Sequence, residues 1–178
     1  ITAQTGSINE TYDNAQSEVN GFALNVANSL ELVANSGIDL GSKFNQLKNV
    51  SLKTNKGALV LGNGAQNNEA INVTVLKGTN PSDSIVIHNF DSGQNADDEN
   101  AVIISGDLEA NGDIRITNDE SSVIINSGSM SGDDVNLIAK GNINNGANIV
   151  AVYDVVLNSG ASVTNKGKIQ ATNGSVDL

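Results

Sequence analysis

The stretch Ile149-Val-Ala151-Val-Tyr-Asp-Val155-Val-Leu157 returns, twenty residues further on, as Ile169-Gln-Ala171-Thr-Asn-Gly-Ser-Val176-Asp-Leu178. Each copy reads as an aliphatic residue, a small residue two places on, and then an aliphatic pair separated by one residue. A further aliphatic corner precedes each copy by six places, at Ile143 and Val163. Self-similarity at a fixed period near 20 residues is the signature of a solenoid, in which one repeat forms one coil.

The pattern extends back through the chain. Its first aliphatic position falls at Ile1, Leu32, Leu52, Leu76, Leu108, Met130, Ile149 and Ile169, at spacings of 31, 20, 24, 32, 22, 19 and 20 residues. Two places after each sits a small residue: Ala3, Ala34, Thr54, Gly78, Ala110, Gly132, Ala151 and Ala171. The aliphatic pair recurs as Ile38/Leu40, Leu59/Leu61, Ile85/Ile87, Ile114/Ile116, Val135/Leu137, Val155/Leu157 and Val176/Leu178. In the first copy only Ile8 is present, followed by Asn9 and Glu10. The third corner reads as Val50, Val73, Ile104, Ile125, Ile143 and Val163.

Alternation such as Val135-x-Leu137 puts two side chains on one face of a short strand. Gly, Asn and Ser between these stretches mark bends. Three aliphatic corners per coil predict three short strands, each paired in parallel with its equivalents above and below at about 4.8 Å. The predicted fold is an all-β, right-handed parallel β-helix of about seven to eight coils of roughly 20 residues. Leu137, Leu157 and Leu178 are expected in one file. Asparagine, 28 in number, sits at bends such as Asn145, Asn158 and Asn165. It suits two roles there: an internal amide ladder, or tolerance of the left-handed conformation.

Composition agrees with a thin, stacked interior. Aromatics are 3% of the chain, proline occurs once, and cysteine and tryptophan are absent. Abundant Gly and Asn disfavour long helices. The net charge of −11, with Arg115 the single arginine beside eight lysines, excludes the electrostatic footprint of a nucleic-acid or anionic-membrane binder. No apolar run reaches the roughly 20 residues needed to span a bilayer, so the chain is not expected to be membrane-inserted. Ile1 opens neither a charged nor an apolar leader. Absence of cysteine fits a cytosolic protein, and equally one that crosses the bacterial outer membrane unfolded.

Residues 1–178 read as a single β-helical segment. Ile1-Thr-Ala-Gln-Thr-Gly-Ser-Ile8 nearly duplicates Ile169-Gln-Ala-Thr-Asn-Gly-Ser-Val176, so the segment is expected to be excised from a longer array. Two excursions interrupt the period, at about residues 9–28 and 89–100. Loops on rigid scaffolds carry contacts, which makes Tyr12 and Asp13 in the first, and Asp91, Asp97, Asp98 and Glu99 in the second, the candidate partner-contact residues. Pro81 should lie in a turn, since it cannot donate to a ladder. Phe44 is expected to pack under a corner or cover an edge.

A chemical centre is not signalled. Arg115 should point outward from Ile114-x-Ile116, with Asp107, Glu109 and Asp113 nearby in sequence as a weak acidic patch. No spacing selects the paired carboxylates of a glycoside hydrolase. His88, the only histidine, reads as a surface or turn residue. The acidic residues of the second excursion and the Asp133-Asp134 pair lack calcium-loop spacing, so no metal and no cofactor is expected, and no catalytic residue is assigned.

The runs Val163-Thr-Asn165-Lys-Gly167-Lys-Ile169-Gln-Ala171-Thr-Asn-Gly174-Ser-Val176-Asp-Leu178 and Ile125-Asn-Ser-Gly128-Ser-Met130-Ser-Gly-Asp-Asp-Val135-Asn-Leu137-Ile-Ala139-Lys-Gly141 resemble the repeats of filamentous haemagglutinin-like two-partner-secretion exoproteins. The likeness is good over residues 101–178 and looser before them; autotransporter passengers look similar. It implies a secreted or cell-surface bacterial adhesin: a rigid fibre that presents loops to a host-cell receptor, a glycan or a neighbouring bacterial cell. Cell adhesion, biofilm formation and virulence are the roles it suggests. Export would use an outer-membrane secretion partner. The family's Asn-Pro-Asn-Gly and Asn-Pro-Asn-Leu tetrapeptides are missing, so the segment would be fibre or contact region. The alternative is a β-helical polysaccharide lyase or hydrolase, or a phage tailspike fragment.

Overall fold

The structure is a computed structural model that describes residues 1–9, 24–43, 45–64, 70–78, 80–90 and 100–178. Its strands form three parallel sheets wound as a β-solenoid. The first sheet stacks β1 (Thr2–Ala3), β3 (Asn25–Ala34), β5 (Gln46–Thr54), β7 (Ile71–Val75), β9 (Val102–Gly106), β12 (Val123–Ile125), β15 (Ile143–Asn145) and β18 (Val163–Asn165). The second stacks β2 (Ile8–Asn9), β4 (Ile38–Leu40), β6 (Leu59–Gly64), β8 (Ile85–Phe90), β11 (Ile114–Asn118), β14 (Val135–Ala139), β17 (Val155–Ser159) and β20 (Val176–Asp177). The third, of four strands, holds β10 (Leu108–Glu109), β13 (Ser129–Gly132), β16 (Asn148–Ala151) and β19 (Ile169–Ala171).

The parallel β-helix expected from the repeat is therefore present. In the second sheet Ile8, Ile38, Leu59, Ile85, Ile114, Val135, Val155 and Val176 stand in one file. Beside it run Leu40, Leu61, Ile87, Ile116, Leu137 and Leu157, none more than 5% exposed. Burying each aliphatic side chain is worth about 1.5–3 kcal/mol, and the file repeats that gain once per coil. The pairing continues to Val156 opposite Asp177, and Leu178 beyond it is 69% exposed.

The three-strand coil holds from Val102 onward. In earlier described coils the first and third strands are fused, as in the ten residues of β3 and nine of β5. The cause lies in one column: Leu32, Leu52, Val75 and Gly106 are successive partners. Gly106 has φ +95° and Gly128, stacked on it, φ +100°. A Cβ on Gly128 would collide with the Gly106 carbonyl oxygen. Only glycine adopts this backbone readily, and here it ends one strand so that the next can start.

Four details of the expected register are corrected. The repeat position assigned to Leu76 belongs to Val75, which pairs with Leu52, while Leu76 is 41% exposed. Ile143 and Val163 continue the column of Val102 and Val123, whereas Ile125 is followed by Asn145 and Asn165. A slip of two keeps every side chain on its face, so alternation alone cannot detect it. Asn25 to Asn28 belong to β3, not to an excursion. At the second excursion, Asn89 and Phe90 belong to β8, and Asn89 and Asn100 are both buried.

Asparagine forms internal ladders. Asn63 Nδ2 donates to Asn89 Oδ1 at 2.9 Å, and Asn89 Nδ2 to Asn118 Oδ1 at 3.0 Å. Asn118 Nδ2 then closes on the carbonyls of Asn100 and Ser122. A second ladder joins Asn145 Nδ2 to Asn165 Oδ1 at 2.7 Å. Asn158, in contrast, is exposed. Pro81 precedes the isolated bridge of Ser82 with Ala110, outside any strand. Phe44 lies outside the described residues.

Candidate functional site

A solenoid offers the outer faces of its sheets, and the outer face of the second sheet carries the single arginine and the single histidine of the chain. Strand alternation turns Ile85, Ile87 and Asn89 inward and leaves Val86, His88 and Phe90 outside. Register then sets Arg115 beside Val86 and Thr117 beside His88. The same ladder sets Asn136 beside Arg115 and Ile138 beside Thr117.

The single histidine is part of a built arrangement. His88 Nε2 lies 2.7 Å from Asp119 Oδ2, with side-chain exposures of 31% and 40%. Its ring stacks on that of Phe90, with centroids 3.8 Å apart and planes at 28°. Arg115 is exposed, as its sequence position predicted, and its Nε donates to Thr117 Oγ1 at 3.4 Å. His88 is thus a strand residue with a hydrogen-bond partner 31 positions away, which sequence proximity could not reveal.

Chemically, a carboxylate that orients an imidazole is half of a nucleophilic triad. The other half is missing among the described residues, since no hydroxyl bonds to the His88 ring and Thr117 is engaged by Arg115. The face is also equipped to bind. It combines a guanidinium, a ring stack and a carboxylate, the groups that fix polar, ring-bearing ligands.

The acidic residues near Arg115 in sequence do not converge. Glu109 Oε1 pairs with Lys77 Nζ at 2.9 Å, and that bond and charge hold the lysine above its ordinary value. Asp107 Oδ1 accepts from Ser129 N and Oγ. Asp113 Oδ1 accepts from Asp134 N at 3.3 Å, and Asp134 Oδ1 from Asp154 N at 2.8 Å. Asp154 Oδ1 in turn takes Ser175 N and Oγ, and the Ser175 backbone bond, then its hydroxyl, lowers the Asp154 carboxyl below its ordinary 3.8. This column stitches coil to coil. Among the described residues no group of three or more His, Asp or Glu is placed to hold a metal, and no helix is long and apolar enough to cross a membrane.

Tyr12, Asp13, Asp91, Asp97, Asp98 and Glu99 all lie outside the described residues. The face missed by sequence reasoning had one available signal. Arg115 and His88 occupy outward positions of adjacent β-pairs, Ile114-x-Ile116 and Ile85-x-Ile87, so the repeat alignment alone places them on neighbouring rungs.

The class defined by this architecture is the parallel β-solenoid. Comparison with known proteins returned no matching family, no matching curated protein and no matching solved structure.

Proposed function

We propose that this chain is a structural and binding segment of a large secreted bacterial adhesin, a stiff shaft that carries contact surfaces to a host cell, a glycan or a neighbouring cell. The observation that carries the proposal is the continuity of the shaft: eight rungs in each of two sheets, every rung paired in parallel with the next. Internal amide ladders bind rungs that the aliphatic files already stack. Such a body resists bending, because each neighbour contact is repeated around the coil. The likeness of residues 101–178 to haemagglutinin-like repeats supports the same role, with export through an outer-membrane partner and a place at the cell surface. No catalytic step is assigned to it.

Beads coated with the purified chain test this directly. They are expected to attach to cultured epithelial cells or to bacterial cells well above albumin-coated beads. Replacing residues 91–99 by a Gly-Ser segment of equal length should reduce attachment while the β-rich circular dichroism spectrum is kept. Attachment no better than albumin on every cell type overturns the proposal.

A further inference from the structure

We infer that the outer face of the second sheet is a binding site for a carboxylate-bearing saccharide, centred on Arg115, His88 and Phe90 and extending to Lys140. The inference gives the adhesive reading a ligand class and a place.

Charge is the first argument. Acidic residues outnumber lysine and arginine by 20 to 9, so most of the surface repels anions. On this face the charges near one another are Arg115, Lys140 and Asp119, because the outward carboxylates of Asp39 and Asp177 each stand three strands away from Arg115 in its column. Asp119 is hydrogen-bonded to His88 at 2.7 Å, whereas neither Arg115 nor Lys140 has a carboxylate partner among the described residues. Both are exposed. An uncompensated guanidinium is the side chain best shaped to take a carboxylate through two parallel hydrogen bonds. The bond from its Nε to Thr117 Oγ1 at 3.4 Å engages one of its five donors and leaves the two terminal nitrogens for a ligand.

Shape is the second. Phe90 and His88 present a stacked ring pair, partly exposed, one strand from the guanidinium. Rings of this kind take the C–H face of a sugar, while the Asp119 carboxylate accepts from hydroxyls. A peptide carboxylate would use Arg115 but has no ring to lay on Phe90 and no hydroxyl array for Asp119. From Arg115 to Lys140 is one rung and four residues, roughly 14 Å by strand rise and spacing. That span suits an oligomer carrying a charge on successive units, better than a single sugar.

The test uses the full chain and the α-1,4-linked galacturonate trimer, with maltotriose as the uncharged analogue and hexaglutamate as the charged non-sugar. Calorimetry and amide shift mapping should show the galacturonate trimer bound, with shifts confined to residues 85–90, 114–119 and 136–140. Arg115→Gln should weaken it about tenfold and Lys140→Gln by a smaller factor, while Lys168→Gln, at an exposed lysine elsewhere, leaves it unchanged. Shifts scattered over the surface, equal affinity for hexaglutamate, or an Arg115→Gln variant that binds as tightly as the parent overturns the site. The bead assay separates the two readings. Cell attachment that survives while trimer binding is absent removes this site and leaves the adhesive role standing.

Discussion

Asn89 donates its side-chain amide to Asn118 Oδ1 at 3.0 Å in the interior of the shaft, and receives Asn63 Nδ2 on its own oxygen at 2.9 Å. Each amide in that line is both donor and acceptor, so removing the middle one strands the buried Asn63 amide, while Asn118 Oδ1 keeps its bonds from Glu120 N and Ser121 N.

Asn89→Ala should therefore lower stability by about 1–3 kcal/mol, the cost of a buried polar group left without its partner. The urea midpoint should fall accordingly, while Asn158→Ala, at an exposed position, changes it by less than about 0.5 kcal/mol. Equal midpoints for the two variants would remove the ladder from the account.

Gly128→Ala places a methyl against the Gly106 carbonyl at φ +100°. A non-glycine residue held there costs roughly 1–3 kcal/mol before the collision is counted. Thermal unfolding should show a clear loss. Gly6→Ala, where no atom lies within 4 Å of the added carbon, is the matched control and should stay close to the parent.

Leu137→Ala removes a fully buried member of the file shared with Leu157 and Ile116. The expected loss is about 2–5 kcal/mol. Since solenoid repeats contact only their neighbours, hydrogen exchange should rise most in β11, β14 and β17 and much less in β4. Uniform acceleration over the whole chain would contradict a nearest-neighbour shaft.

Acid should loosen the end of the aspartate column. The Asp154 carboxyl is lowered in the folded chain by its bonds from Ser175. A lowered folded value means its stabilisation is complete above the ordinary 3.8 and is lost as pH falls through the folded value. Asp154→Asn keeps an acceptor oxygen but cannot titrate. The parent's urea midpoint should therefore drop more than the variant's between about pH 5 and pH 2.5, and superimposable pH profiles would refute this role for Asp154.

His88→Gln should cost less than about 1 kcal/mol, because the pair with Asp119 is partly exposed and solvent screens it. Circular dichroism and urea titration check this. A large loss would make His88 a structural clamp.

The fold was legible because its driving force is written at fixed intervals. Val135, Val155 and Val176 differ in neighbours but agree in phase, and phase is what stacks them. Register was less legible at Ile125 and Asn145, where both an aliphatic residue and a satisfied amide fit the inward column. Leu76 misled because Val75 beside it is equally aliphatic, and only the Leu52 pairing decides between them. The His88–Asp119 pair was hidden for another reason. His88 meets Asp119 only after the chain has left β8 and returned on the next rung, and nothing local to either residue announces the other.

The nine residues between Phe90 and Asn100 interrupt neither ladder across which they are inserted: Ile87 still faces Ile116, and Asn89 still reaches Asn118. A chain built this way can gain or lose residues between two rungs without renegotiating its interior. Chain length between rungs is thereby uncoupled from what holds the rungs together.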